Sequence, residues 1–345
     1  MDLDVITDNM SIALYTVTVM VGTVGNSLVL WVAGFVLPSK ITNVWIANLA
    51  VSNLIFCLTR AMPLIKRIFF DHWPFGVFLC KFTGFFKYTN MFCSAFMLVV
   101  ICVDRTLIVR RPLFTKQHRT LLAARVVSLV VWVAASIMSA PYFFYRDVQQ
   151  GKNNLSKCSI EVKGAEDDNR AEMGLYSIRF LCAFLLPFLV CSVLCTYLDK
   201  IRKVRVRQHN PSGSPFIKIL IAMVFTFFMC WMPYHCLLLV KMTDGKTPEV
   251  KVGLTLSKGI AYFSSCINPI FYIGMGLDVK QMISGAAYRP AAPAPSEDED
   301  EEAGHMTQMQ VHRDGELRDR SGTSSSNHTE AQVHGNSSTV VTPDA

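Results

Sequence analysis

The sequence predicts an all-α membrane protein, a seven-transmembrane helix bundle with a short amphipathic eighth helix. Its 345 residues are 51% hydrophobic, and the mean hydropathy of +0.34 is that of an apolar chain. Seven apolar stretches lie within the first 275 residues, and each contains the roughly 20 residues that a helix needs to cross a bilayer. Because lipid tolerates only backbones that satisfy their own hydrogen bonds, each stretch is expected to form a helix.

The seven spans divide the chain into three parts. They are placed at 11–36, 43–69, 79–109, 121–145, 173–198, 216–241 and 252–275. The parts are an N-terminal segment at 1–10, a membrane domain at 11–288 and a tail at 289–345. From Pro290 the composition changes to proline, alanine, acidic and hydroxyl residues with no apolar face, so the tail is expected to be disordered.

The charge of the connections predicts the orientation in the membrane. The connections after spans three and five carry basic residues and almost no acids: Arg110, Arg111, Lys116 and Arg119 in the first, and Lys200, Arg202, Lys203, Arg205 and Arg207 in the second. Cationic connections stay in the cytosol, so the N-terminus is expected outside the cell and the tail inside. This asymmetry accounts for the net charge of +7 without a nucleic-acid partner.

Two features are expected on the outer side. Cys80 opens the third span and Cys158 lies in the long connection between spans four and five, where an oxidising exterior allows them to pair. Such a disulfide would stabilise the fold by roughly 2–4 kcal/mol; the alternative is two free thiols. Asn9 and Asn154 begin Asn-X-Ser sequons and are candidate glycosylation sites.

Polar and helix-breaking residues inside the spans predict a switch. At the inner end of span three Asp104 precedes Arg105, and such a pair can hold together or separate when another group binds the arginine. Pro233 in span six follows Trp231 and removes a backbone hydrogen bond, which makes a hinge. Span seven ends with a second proline between an amide and a phenol: Asn268, Pro269 and Tyr272.

In order and spacing these residues resemble those of rhodopsin-like (class A) G-protein-coupled receptors. The resemblance covers about 11–288 and rests on Gly25-Asn26, Leu49-Ala50, Cys80, Asp104-Arg105, Trp132, Pro187, Cys230 to Pro233, and Asn268 to Tyr272. Within the class the chain is most similar to chemoattractant receptors of the formyl peptide, anaphylatoxin and prostaglandin-D2 types. That similarity rests on His72 to Gly76, Gln117 to Thr120, Pro141 to Asp147, and Pro233 to His235.

The resemblance implies a receptor of the plasma membrane rather than an enzyme, with no cofactor and no metal. Implied partners are a heterotrimeric G protein of the inhibitory type, and arrestin and receptor kinases that act on the tail. A transporter or channel would need inverted repeats or broken half-helices near the midplane, and the sequence suggests neither. An enzyme is disfavoured because no metal-ligand cluster and no nucleophile–base pair has its own sequence context.

The chain departs from the family at two switch positions. Asn53 stands where similar receptors usually have the aspartate of a sodium site. The other positions of that site resemble those of Asn90, Ser94 and Asn268 in this chain. An amide lacks the charge that a monovalent cation needs in a low dielectric. Cys195 stands where the family commonly has a tyrosine that holds the released arginine. The alternative function is therefore a decoy or arrestin-biased chemoattractant receptor with weak G-protein coupling.

Cations toward the outer halves of the spans predict a pocket for an anion, a lipid carboxylate or a short peptide. Arg179 matches the position where several chemoattractant receptors hold a ligand carboxylate, and a guanidinium can bind one bidentately. Lys87 and Lys258 are expected to assist, whereas Arg60 and Lys258 could instead snorkel or pair internally. The predicted walls and floor of this pocket are aromatic: Tyr88, Trp231, Tyr234 and His235. His235 could equally be a packed core histidine.

Overall fold

The computed structural model describes residues 3–36, 40–150, 155–160, 165–207, 215–243 and 247–274. Within these ranges the chain forms nine helices, two short π-helical segments and one hairpin. The helices are α1 (Leu3–Trp31), α2 (Ile41–Phe69), α3 (Gly76–Arg110), α4 (Pro112–His118), α5 (Leu121–Phe144), α6 (Ala165–Phe180), α7 (Leu186–Arg207), α8 (Pro215–Thr243) and α9 (Pro248–Gly274). The short amphipathic helix that is predicted to follow the seventh span, and the tail, lie outside the described residues.

Six of the helical stretches are long and apolar enough to cross a membrane. They are Val5–Phe35, Ile41–Phe69, Gly76–Arg110, Leu121–Phe144, Glu172–Val204 and Ile217–Met242. The seventh predicted span is α9, which has 27 residues and is therefore long enough. It is less apolar because it carries Glu249, Lys251 and Lys258, yet it packs against α1, α2 and α8 within the bundle.

Helices one and five of the bundle extend beyond the predicted spans. Helix α1 begins at Leu3 rather than near residue 11, so the sequon at Asn9 lies on a helix with its side chain exposed. The fifth span is a continuous helical rod of α6, a π-helical segment at Leu181–Leu185 and α7. The π-helical segment ends two residues before Pro187, which has no N–H to donate, so the changed hydrogen-bond pattern accommodates the proline.

A two-stranded hairpin covers one end of the bundle between α5 and α6. Strands β1 (Arg146–Gln150) and β2 (Ser156–Ile160) pair antiparallel, with Val148 opposite Cys158. The hairpin is fastened to the connection before α3, because the Trp73 N–H donates to the Ser156 carbonyl at 2.8 Å and the Ser156 hydroxyl donates back to the Trp73 carbonyl at 3.0 Å.

Helix α3 is the centre of the bundle. It contacts α2, α5, α7 and α8, and it is buried along most of its length. Its buried side chains include both large apolar groups and small polar groups, among them Met91, Phe92, Met97 and Asn90. Both candidate sites described below therefore contain residues of α3, one toward each end of the helix.

Candidate functional site

The predicted disulfide joins the hairpin to the beginning of α3. Cys80 and Cys158 form a disulfide with their Cα atoms 5.7 Å apart, so the prediction that they pair is confirmed. The bond brings Arg146 of β1 over α3, where its Nε donates to the Cys158 sulfur at 3.1 Å. A Cβ atom built on Gly84 would lie 2.5 Å from the Arg146 Cδ, so a larger residue at this position would displace the arginine side chain.

Arg179 lies at the centre of a buried tyrosine cluster. Its side chain is 0% exposed, and Nη1 donates to the Tyr88 hydroxyl at 3.1 Å. Its guanidinium carbon lies 5.3 Å from the ring centroid of Tyr88, 4.8 Å from that of Tyr176 and 5.3 Å from that of Tyr234. Cation–π contacts of this kind stabilise a desolvated arginine, and they replace the carboxylate that usually accompanies a buried one.

The Arg179 guanidinium has hydrogen-bond donors without an acceptor. Its Nε and Nη2 have no hydrogen-bond partner, and no carboxylate among the described residues pairs with it. The closest acid along α6 is Glu172, which accepts hydrogen bonds from Tyr176 and from the Lys241 ammonium. Two parallel N–H donors with no acceptor match the geometry of a carboxylate.

Lys87 and Lys258 lie in the same electrostatic neighbourhood. The Lys87 ammonium lies 5.1 Å from the Tyr88 ring centroid and 5.8 Å from that of Tyr262. It interacts electrostatically with Lys258, Arg60, Arg179 and Arg146. Both lysine side chains are partly exposed. These like charges repel one another, and an anion placed among them would relieve the repulsion.

Arg60 has a hydrogen-bonded Nη2, whereas its Nε has no hydrogen-bond partner. Its Nη2 donates to the Thr83 carbonyl at 2.6 Å, and its guanidinium lies 5.1 Å from the Phe56 ring centroid. The side chain is 4% exposed. This arrangement agrees with the alternative of internal pairing rather than with a ligand contact.

The predicted floor of the pocket is an aromatic cluster on α8. The ring centroids of Trp231 and Tyr234 are 5.9 Å apart, and His235 lies 4.7 Å from Phe184. All three predicted residues are 4% exposed or less. The Trp231 Nε1 and the His235 Nδ1 are buried without a hydrogen-bond partner, which costs about 1–3 kcal/mol per group unless a ligand or water satisfies it.

Two further residues of this region were not singled out from the sequence. Tyr142 stacks on Tyr88 with ring centroids 3.6 Å apart and donates to the Leu175 carbonyl at 2.9 Å. Arg146 is held beside them by the disulfide, and burial lowers the pKa of its guanidinium. Both residues belong to the stretch that carries the subgroup resemblance, which is the only sequence signal that points to them.

At the other end of α3 the predicted Asp104–Arg105 pair includes a third residue. The Arg105 Nε lies 3.7 Å from an Asp104 oxygen, whereas Arg119 donates to both Asp104 oxygens at 2.9 and 3.2 Å. Arg105 also donates to the Thr42 hydroxyl of α2. Asp104 is therefore shared by two arginines, and the sequence identified Arg119 only as a loop cation.

The residues of the altered sodium-type site are buried, and two of them, Asn53 and Asn90, are in contact. The Asn90 amide donates to the Asn53 oxygen at 2.9 Å and to the Ser52 hydroxyl at 3.2 Å. Ser94 and Asn268 are also buried. An amide–amide hydrogen bond thus lies where a carboxylate would be, and the Asn53 Nδ2 beside it is buried without a hydrogen-bond partner.

The other switch positions have the following environments. Cys195 is 8% exposed, and its sulfur lies 3.8 Å from that of Cys102 on α3, so a thiol contact occupies the place of the usual tyrosine. Pro233 and Pro269 lie inside α8 and α9. Tyr272 continues α9, but its side chain lies outside the described residues, as does the sequon at Asn154.

Comparison with known proteins identifies the family of the chain. Residues 25–272 match the model of the seven-transmembrane receptors of the rhodopsin family. The C3a anaphylatoxin chemotactic receptor of Danio rerio is 32% identical over 305 residues, which is 88% of this chain and 82% of the relative. The C5a anaphylatoxin chemotactic receptor 1 of Danio rerio is 32% identical, covering 77% of each chain.

A third relative extends the comparison beyond the anaphylatoxin receptors. Chemerin-like receptor 1 of Mus musculus is 33% identical over 303 residues, which is 83% of this chain and 80% of the relative. The family match covers the disulfide, the tyrosine cluster around Arg179 and the Asp104 pair. The predicted seven-helix fold and the resemblance to chemoattractant receptors are confirmed, and the relatives are receptors rather than enzymes. The chain belongs to the chemoattractant group of the rhodopsin-family (class A) G-protein-coupled receptors, which are multi-pass proteins of the plasma membrane.

Proposed function

We propose that this receptor is activated by an anionic chemoattractant, a lipid carboxylate or the carboxyl terminus of a short peptide. The observation that supports this most directly is the buried Arg179 guanidinium, whose Nε and Nη2 lack hydrogen-bond partners. A buried charge is stable only when it is paired or hydrogen-bonded. A carboxylate bound here would accept hydrogen bonds from both groups at once.

The surrounding cations favour an anion over other ligands. Lys87 and Lys258 lie in the electrostatic neighbourhood of Arg179, and Arg146 approaches the same end of the bundle over Gly84. The same charges would repel an amine, because Lys87 stands where aminergic receptors carry their acid. Tyr88, Trp231, Tyr234 and His235 would then contact the remainder of the ligand.

The proposed signal is a shift between two states of the bundle. Ligand binding favours the state in which α8 swings about Pro233 and Arg105 becomes available to a G protein. The basic connections after α3 and α7 would face the G protein, for which the inhibitory type is proposed. This orientation places the N-terminal segment at 1–10 outside the cell, the receptor domain at 11–288 in the membrane and the tail at 289–345 in the cytosol, where receptor kinases and arrestin would act.

A second candidate function is a decoy or arrestin-biased receptor. It is favoured by Asn53, whose hydrogen bond with Asn90 replaces a cation-binding carboxylate, and by Cys195, whose thiol contacts Cys102. Neither group can play the part of the residue it replaces: the amide carries no charge, and the thiol is a weaker and shorter donor than a phenol. Both changes would therefore affect the transition between the inactive and active states rather than ligand binding around Arg179.

Parallel assays of cyclic AMP and of arrestin recruitment distinguish the two functions. Cells expressing the full chain would be tested with a panel of lipid acids and carboxyl-terminal peptides, each paired with its methyl ester or amide. An acid that lowers cyclic AMP supports the first function. An acid that is internalised and recruits arrestin without lowering cyclic AMP supports the second. Activity of the neutral ligands equal to that of the acids would contradict the anionic pocket.

A further inference from the structure

A cavity of about 300 Å³ opens at the opposite end of α3 from the disulfide, between α3, α4, α5 and the beginning of α2, which contributes Ile41 and Trp45. Its walls are almost entirely apolar and include Val99, Val103 and Leu107 of α3, Phe114 of α4 and Val127 of α5. The charged wall residues are Asp104 and Arg119, which neutralise one another.

The cavity suits hydrocarbon rather than water. Apolar cavities of about 150 Å³ stay dry and bind small hydrocarbons, and sites for small molecules begin at about 300 Å³. The side chains at its mouth face away from the bundle: Val103 is 39% exposed, Leu107 39% and Val127 38%. In a membrane-spanning bundle such exposed apolar side chains contact lipid chains, so the cavity opens toward the bilayer.

The rim of the cavity is cationic. The chain has no acid between Asp104 and Asp147, whereas exposed cations lie near the ends of α3, α4 and α5: Arg110, Arg111, Lys116 and Arg125. Exposed cations next to a membrane attract anionic lipid head groups. The combination of an apolar cavity and a cationic rim matches an amphiphile with one acyl chain in the cavity and an anionic head group at the rim.

The direction of the cavity identifies the source of the acyl chain. The cavity runs along α3 from the level of Leu107, close to the end of the helix, to Val99, about two turns deeper. A phospholipid in the leaflet beside α4 already lies this way, with its head group at the helix ends and its chains directed inward. We propose that the cavity binds one acyl chain of an anionic glycerophospholipid from that leaflet.

Binding of the chain would affect the switch through α4. Phe114 and Thr115 of α4 form one wall of the cavity, and Arg119 follows directly after that helix. An acyl chain between α3 and α4 therefore holds α4 in place and keeps Arg119 on Asp104. The lipid acts as a structural partner of the Asp104–Arg119 pair, at a site separate from Arg179.

The test uses the full-length receptor in nanodiscs that contain a photoactivatable lipid. Phosphatidylserine with a diazirine on one acyl chain is compared with phosphatidylcholine carrying the same chain, and crosslinked peptides are mapped by mass spectrometry. The expected result is crosslinking of phosphatidylserine to 99–107 and 123–127 in clear excess over phosphatidylcholine. Ala123→Phe places a ring at the mouth and should reduce this crosslinking about tenfold, because each excluded methylene weakens binding by roughly fourfold.

Val126→Phe is the matched control, since Val126 is exposed on the same helix and does not line the cavity; its crosslinking should equal that of the natural chain. If Ala123→Phe does not reach the membrane, Val127→Phe fills the cavity from the same helix. Replacing Arg111 and Lys116 with Gln should abolish the preference for phosphatidylserine over phosphatidylcholine.

Three results would overturn the proposal. The first is equal crosslinking by the two phospholipids. The second is crosslinking at lipid-facing Leu129 that is as frequent as crosslinking at the cavity. The third is loss of the phosphatidylserine crosslinks when a small amount of oleic acid, relative to phospholipid, is added to the nanodiscs. The last result would assign the cavity to a free fatty acid instead of a phospholipid.

Discussion

Replacing Arg119 with Gln should hold the receptor more firmly in its inactive state. The Arg119 guanidinium makes two charge-assisted hydrogen bonds to Asp104, at 2.9 and 3.2 Å, between side chains that are 16% and 10% exposed. Without them the Asp104 carboxylate is left to Arg105, whose Nε already lies 3.7 Å away. Arg105 is then less available to a G protein, so basal and agonist-stimulated signalling should both fall.

The size of the effect follows from the hydrogen bonds that are lost. A hydrogen bond to a charged group contributes about 1.5–3 kcal/mol, and part of this is recovered when Arg105 moves closer to Asp104. A net change of about 1.4 kcal/mol corresponds to a tenfold change in the equilibrium between the two states. The expected result is a roughly tenfold loss of agonist potency, or of basal activity where this is measurable.

The assay measures nucleotide exchange on purified G protein, using membranes that contain equal amounts of each receptor variant. Lys157→Gln is the control, because it removes one positive charge at an exposed position of the hairpin, at the opposite end of α3 from Asp104. Unchanged signalling in Arg119→Gln, or an increase, would refute the reasoning that Arg119 and Arg105 compete for Asp104.

Three other perturbations test separate parts of the account. Cys158→Ser should lower the stability of the full-length protein by roughly 2–4 kcal/mol, measured as a reduced melting temperature in detergent, with Cys236→Ser as a control at an exposed free thiol; equal melting temperatures would contradict it. Ligand binding should change little between sodium and choline buffers, whereas Asn53→Asp should introduce a sodium effect; a strong sodium effect in the natural chain would show that a carboxylate is not needed. Gly84→Ala should displace the Arg146 side chain and weaken binding of an acid more than of its methyl ester, and equal losses for the two ligands would argue against a role for Arg146.

The sequence predicted the bundle well because lipid imposes simple requirements on a chain. Apolar length identified all seven spans; the inner boundary of α3 lies one residue from the predicted one, and α5 begins at the predicted residue, Leu121. The outer ends were less predictable. Helix α6 continues through the polar segment at 165–171, since nothing there breaks a helix and no lipid boundary marks its end.

The sequence predicted many residues of the candidate sites, but it did not predict which side chains contact one another. Burial of Arg179 and its inward position follow from helical spacing, whereas the tyrosines that surround it come from three different helices. The same limit applies to Asp104: Arg119 lies fifteen positions away along the chain and reaches it only because α4 turns back toward α3. For Arg60 the hydrogen bond to the Thr83 carbonyl favours internal pairing, and this bond could not be read from the sequence.

The affinity of an acid compared with that of its own methyl ester tests the central claim most directly. In the natural receptor an active lipid acid or peptide acid should bind roughly tenfold to hundredfold more tightly than its ester, because the acid gains charge-assisted hydrogen bonds to Arg179. In Arg179→Gln this preference should disappear while the affinity of the ester changes little. An acid preference of unchanged size in Arg179→Gln would contradict the proposal that Arg179 holds the ligand carboxylate.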